Sequence, residues 1–197
     1  IHLLGELGLH LDGGQSGLAG SFLFLLDLSQ LLGGVDAGEE DLCGTNALAN
    51  GHGAEGREGL HTAVESAASS SFSEIEKILP YLDLYLMDIK HMDSAKHKEY
   101  TAVGNERILE NARKIAESGV ELIIRTPVIP GFNDTPEEIR AISHFAKTLP
   151  GVREHHLLPY HRLGQDKYAG LDRNYALKGI EPPSQERMEY LLSVAEE

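Results

Sequence analysis

From residue 60 onward the hydrophobic and polar positions switch between two periods. Four stretches alternate every second residue, the pattern of a strand with two distinct faces: 60–66 (LHTAVES), 82–89 (LDLYLMDI), 120–126 (VELIIRT) and 155–160 (HHLLPY). Between them lie helical patterns. Ser73 and Glu76 read as a capping box opening a short helix that stops at Pro80. In 105–118, Ile108, Leu109, Ala112, Ile115 and Ala116 recur at helical spacing, and Gly119 marks the stop. Thr135-Pro136-Glu137-Glu138 supplies an N-cap, a proline at the first helical position and two first-turn acids. Ile139, Ile142, Phe145 and Ala146 follow on one face. Pro182-Pro183-Ser184 opens a last amphipathic helix through Met188, Leu191, Leu192 and Ala195. Strand, helix, strand at these spacings predicts an α/β fold of parallel strands joined by crossovers.

Residues 1–57 are built differently. They hold eight acidic residues, one basic residue (Arg57), no lysine, no proline, and 13 of the 21 glycines. Glycines at that density interrupt every long helix. The one clean apolar run, 22–28, fits a buried strand or a short helix, and periodicity cannot choose over so short a span. Gly13-Gly14-x-x-Gly17 lacks the strand–turn–helix setting of a phosphate loop. The chain therefore divides into 1–57, a Gly/Leu-rich segment expected to be poorly ordered, and 58–197, a folded α/β unit. A strand edge beside 60–66 is expected to be left open.

Composition narrows the function classes. The net charge of −14 disfavours a nucleic-acid partner. A single cysteine, Cys43, excludes a disulfide framework or a multi-thiolate metal site within the chain. The apolar run at 18–26 is too short to span a bilayer and has no basic residue before it. A cytoplasmic protein with no membrane partner is the expectation.

In a parallel barrel, residues at the C-terminal strand ends surround the active site. The period-2 phase carries Leu82, Leu84 and Leu86 to Asp88 and Lys90, Ile123 to Arg125, His61 and Ala63 to Glu65, and Leu157 through Pro159 to His161. Four strands ending in ionisable groups at one rim suit a charged, zwitterionic ligand. Each residue alone also fits a solvated loop position, and Asp88–Lys90 fits a surface ion pair. His91, His97, His144 and His155 show no metal-ligand spacing. His155 and His156, adjacent on a strand, point to opposite faces.

The blocks HTAVES, ILPYLDLYLMDIKHMD, KHKEYTAVGNERILENA, IIRTPVIPGFND, LLPYHRLGQDKY and LKGIEPPS, running from 61 to 184, resemble consecutive segments of the glycyl-radical enzyme activating family, to which pyruvate formate-lyase activase belongs. The resemblance implies a partial (β/α) barrel, truncated at its N-terminal side, of the radical S-adenosylmethionine type. It implies S-adenosyl-L-methionine and a 4Fe–4S cluster as cofactors. The activity implied is an oxidoreductase that forms a 5′-deoxyadenosyl radical to take a hydrogen from a glycine of a partner. The implied partners are a pyruvate formate-lyase-like glycyl-radical enzyme and a flavodoxin or ferredoxin electron donor. By position, the resemblance makes Asp88, Ile89, Lys90, Arg125 and His161 cofactor contacts. It makes Glu65 with Asp88 the acids that hold a monovalent cation. The family's C-x-x-x-C-x-x-C motif and its Ser-Gly-Gly-Glu-Pro segment are absent, so this chain offers no iron–sulfur ligand set, and on its own it is expected to be inactive. Ala67-Ala68 stands where the family has a small polar residue and glycine. Two other readings stand beside this one. One is a non-catalytic module that binds a glycyl-radical enzyme; the other is a barrel lyase using Lys90 as a Schiff-base amine.

Overall fold

The computed structural model describes residues 24–27, 62–161, 177 and 179–197. The rest of 1–57, residues 60 and 61, and most of LLPYHRLGQDKY lie outside them, as does Cys43.

Among the described residues, five parallel strands form one sheet in sequence order: β1 (Phe24–Asp27), β2 (Thr62–Ser66), β3 (Leu84–Asp88), β4 (Glu121–Val128) and β5 (His155–Pro159). The edge expected to be open beside 60–66 is paired: β1 runs along β2 with Phe24 opposite Thr62 and Asp27 opposite Glu65. The 22–28 run thus contributes a strand. The helices are α1 (Phe72–Ile78), α2 (Ser94–Thr101), α3 (Glu106–Ser118), α4 (Pro136–Thr148) and α5 (Gln185–Glu196).

Local chemistry explains most boundaries. Thr135 caps α4 by accepting from the Glu138 N–H, with Pro136 at the first position; Ser184 caps α5 in the same way through Arg187 N–H. Gly119 closes α3 at φ +87°, a conformation that costs a residue with a Cβ more than glycine. Helix α1 begins earlier than the Ser73 capping box predicts. Its N-cap is Ser71, which has extended backbone, and Leu79–Tyr81 continue the chain as a 3₁₀ turn around Pro80.

The strands have two unlike faces. Val64, Tyr85, Met87, Ile89, Leu122 and Ile124 join Ile75, Ile78, Ile108, Ala112, Ile115, Ile142 and Phe145 of the helices in one apolar cluster. Val128 and Leu157 join Ile139 of α4 and Met188, Leu191 and Val194 of α5 in a second. At about 25 cal/mol per Å² of apolar surface removed from water, this packing is the main force holding the layers together. The residues facing the other way, Glu65, Leu84, Leu86, Asp88, Ile123, Arg125, His156 and Leu158, belong to neither cluster. Leu157, expected to lead toward the polar rim, is fully buried against the helices instead. The register that pairs Arg125 with His156 shows why: His156 and Leu158 are the β5 residues on the face of Arg125.

Candidate functional site

Asp88 is the last residue of β3, Arg125 lies level with it on β4, and His156 lies level with Arg125 on β5. Paired residues in a parallel sheet project to the same side. The three therefore form one row across the sheet, with Glu65 of β2 set diagonally from Asp88.

Arg125 is the centre of this row. Its Nε and Nη2 donate to Asp88 Oδ1 at 3.2 and 2.9 Å, and Nη2 also donates to Glu65 Oε1. Asp88, Arg125 and Glu65 are all largely withdrawn from water, with side-chain exposures of 5, 11 and 13 %. Burial pulls the Arg125 pKa down. The Glu65 hydrogen bond and the charges of Asp88 and Glu65 outweigh it and hold the guanidinium above its ordinary range. Lys90 Nζ stands 3.7 Å from the other Asp88 oxygen, Oδ2, and is more exposed. Two carboxylates and two cations thus meet in one place, and the more accessible cation is the lysine.

The Lys90 backbone is fixed from several sides. The buried Asn133 side chain donates to Lys90 O at 2.7 Å and to Pro127 O at 2.8 Å, and accepts from Ile129 N–H. Asn105 donates to His91 O and Met92 O. Glu138 Oε1 accepts from Met92 N–H and lies 3.1 Å from His91 Nδ1. Burial pulls the His91 pKa down, the Glu138 charge opposing it. Ile89 itself is buried in the apolar cluster, and its N–H donates to Arg125 O at 2.9 Å. Ile89 therefore touches the row through its backbone.

His161 lies beyond the end of β5 and is exposed. The structure thus brings Glu65, Asp88, Lys90 and Arg125 together at bonding distance. His161 follows the same strand end without a hydrogen bond or ion pair among the described residues. His156, buried and 2.6 Å from Glu154 Oε2 through Nε2, is the member of the row that strand phase assigned to the wrong face. Its signal was the alternation opposite His155. Asn105 and Asn133 had none beyond their place in helix-capping and turn segments. Both acids proposed for a cation are engaged by Arg125, and among the described residues no group of His, Cys, Asp or Glu is placed to hold a metal ion.

A parallel sheet with helices packed on one face and a charged row on the other is the architecture of the α/β partial barrels. Solved structures agree. A domain of a pyruvate-formate lyase-activating enzyme from Bacteroides vulgatus superposes with a TM-score of 0.66 at 26 % identity, over 90 % of this chain and 94 % of that one. Streptococcus suis SuiB bound to S-adenosylmethionine shares the fold at a TM-score of 0.54 and 15 % identity, over 76 % of this chain and 32 % of that one.

In sequence, the isethionate sulfite-lyase activating enzyme of Nitratidesulfovibrio vulgaris is 48 % identical over 119 residues, 59 % of this chain and 38 % of that protein. The indoleacetate decarboxylase activating enzyme of Tractidigestivibacter scatoligenes is 38 % identical over 139 residues, 69 % of this chain and 43 % of that protein. The 4-hydroxyphenylacetate decarboxylase activating enzyme of Clostridioides difficile is 40 % identical over 137 residues, 68 % of this chain and 43 % of that protein. No family model matches the chain. The chain belongs to the glycyl-radical enzyme activating family, as a C-terminal portion of it, and spans less than half the length of these curated relatives.

Proposed function

We propose that this chain forms the S-adenosylmethionine-facing part of a radical activating enzyme whose partner is a glycyl-radical enzyme. The observation that carries this reading is the charged row Glu65–Asp88–Arg125 with Lys90 beside it, in a chain related to activating enzymes. The amino-acid end of S-adenosylmethionine is a zwitterion, and a site with two cations and two carboxylates complements it. Lys90 and Arg125 would take the carboxylate. Asp88 and Glu65 would balance the positive charges or hold a small hard cation, and His161 would border the ligand from β5. When bound, the sulfonium would supply a carbon–sulfur bond open to reductive cleavage by an electron from outside this chain's residues. The chain's own part is to bind and orient. Asn133, Asn105 and Glu138 hold the backbone at Lys90 to Met92, so that the lysine is presented from a fixed base.

The residues present do not fit the iron–sulfur cluster. A cluster with one open iron takes three thiolates, and the chain has one cysteine. The part proposed for its own residues is therefore ligand binding, and no electron-transfer step is assigned to them.

Titration calorimetry with S-adenosylmethionine tests the reading. We expect weak binding that drops by about tenfold in Lys90→Ala, the loss of one charge-assisted hydrogen bond. No binding by the unaltered chain, or tight binding that survives both Lys90→Ala and His161→Ala, would overturn it.

A further inference from the structure

Between Lys90 and the first residue of α2 lie His91, Met92 and Asp93. The carbonyls of this loop are taken from outside it or by α2. Lys90 O accepts from Asn133, His91 O and Met92 O accept from Asn105, and Asp93 O accepts from the His97 N–H. The Met92 N–H goes to Glu138. The Asp93 N–H is instead taken by a side chain of the loop itself: it donates to His91 Nδ1 at 2.9 Å. Asp93 is the N-cap of α2, so this bond fixes how the chain leaves Lys90 and enters the helix.

Hydrogen-bond direction sets the state of the ring. A backbone N–H can only donate, so Nδ1 accepts and the proton of the neutral imidazole sits on Nε2. Turning the ring over would set a carbon against the Asp93 N–H. The ring is nearly without exposure, and Phe132 packs on it with centroids 5.2 Å apart. Glu138 Oε1 stands 3.1 Å from the same Nδ1 and makes the opposite demand, a proton on that atom. The two demands exclude each other. A protonated ring pairs with Glu138 and leaves the Asp93 N–H without its acceptor. The charged and titratable groups that bear on the ring are Glu138 from α4, Lys96 and His97 from α2, Asp93 at its cap, and the neighbouring Lys90. Burial is the largest influence and lowers the His91 pKa, which favours the neutral ring that the Asp93 bond needs.

We propose that His91 is a positioning residue for Lys90: its neutral ring, accepting the Asp93 N–H at Nδ1, shapes the loop so that the lysine stands beside Asp88. This rests on the reading of the charged row as the S-adenosylmethionine site. His91 touches no ligand in it and acts through the backbone.

The test compares the unaltered chain with His91→Leu, which keeps apolar bulk against Phe132 and has no acceptor, and with His91→Asn, whose Oδ1 can accept from an N–H two residues on. Three signals need no ligand. Long-range proton–nitrogen correlation at pH 7.5 should show His91 Nδ1 unprotonated. On acidification the Asp93 amide should shift with the midpoint of the His91 ring. The ε-methylene signal of Lys90, 3.7 Å from Asp88 through Nζ, should move in His91→Leu and return in His91→Asn. Calorimetry should show S-adenosylmethionine affinity about fivefold lower in His91→Leu, the worth of one neutral hydrogen bond, and restored in His91→Asn. A protonated Nδ1 at pH 7.5, an Asp93 amide indifferent to the ring, or a Lys90 signal the same in all three chains overturns the proposal. So does equal affinity in all three. If the unaltered chain binds no S-adenosylmethionine, the reading of the row fails, and the three ligand-free signals still decide the role of His91.

Discussion

Arg125 neutralises two carboxylates that water reaches poorly, so its removal has a predictable sign. Arg125→Met leaves Asp88 and Glu65 as like charges side by side with little solvent. Breaking a buried pair from one side typically costs about 3–5 kcal/mol, and the partial exposure of Glu65 places the expected loss near the lower end, about 3 kcal/mol. Adding Asp88→Asn to that variant should recover part of it, because the stranded charge is then gone. Urea unfolding of the single and double variants measures both, and a double variant less stable than Arg125→Met would contradict the assignment. His155 has the opposite kind of electrostatics. Its folded pKa of about 4 lies below the unfolded value near 6.5, mainly because burial disfavours the charged ring. The unfolded chain therefore takes up the proton first. The contribution of this residue is complete above pH 6.5 and is lost as pH falls toward 4, to a total of about 3 kcal/mol. Burial also lowers the His91 and His97 values, which steepens the same acid limb. Ring titration followed by NMR checks this, and a His155 midpoint near 6.5 would refute it.

Among the elements, the loop from Lys90 to Met92 is held by groups belonging to α3, α4 and the turn after β4. Asn133 makes three hydrogen bonds there, one to Lys90 O after β3 and two to Pro127 and Ile129 at the end of β4. At about 1 kcal/mol each, Asn133→Ala should cost about 3 kcal/mol and should also loosen Lys90. Thr135→Ala, which removes only the α4 cap, should cost about 1 kcal/mol and leave ligand affinity alone. Urea unfolding and calorimetry on both variants separate a loss of positioning from a loss of stability. The sequence made most of these elements legible. The amphipathic helices α3, α4 and α5 were readable because a single apolar stripe faces the sheet. Helix α2 was not, because His97 is its one buried residue and no stripe exists to be seen. Strand β5 was found but misphased. Its residues are apolar or histidine on both sides, so alternation alone could not say whether His156 or Leu157 faces the row. Register with Arg125 decides it, and register is a property of the paired strands. The ionic contacts of Arg125 were equally hidden, since Glu65 is 60 positions away in the chain.

At the level of the whole molecule, the described residues join a sheet packed on its helices to a charged row proposed to bind a zwitterion, and the chain's residues do not fit an iron–sulfur cluster. A site-differentiated 4Fe–4S cluster needs three thiolates and one open iron. The sequence offers Cys43 and no other thiol. Imidazoles and carboxylates do not make up the difference among the described residues, where none are grouped to hold a metal. Anaerobic incubation with iron and sulfide, followed by desalting, should therefore leave this chain with far less iron than one cluster per chain, and with no reducible cluster signal in electron paramagnetic resonance. Substituting Cys43→Ser should change neither result. S-adenosylmethionine binding, proposed to draw on Lys90 and Arg125, should be the same before and after the treatment. A stably retained four-iron cluster at one per chain would mean that ligands from outside the described residues, or from a second chain, complete the site, and the prediction for this chain alone would be wrong.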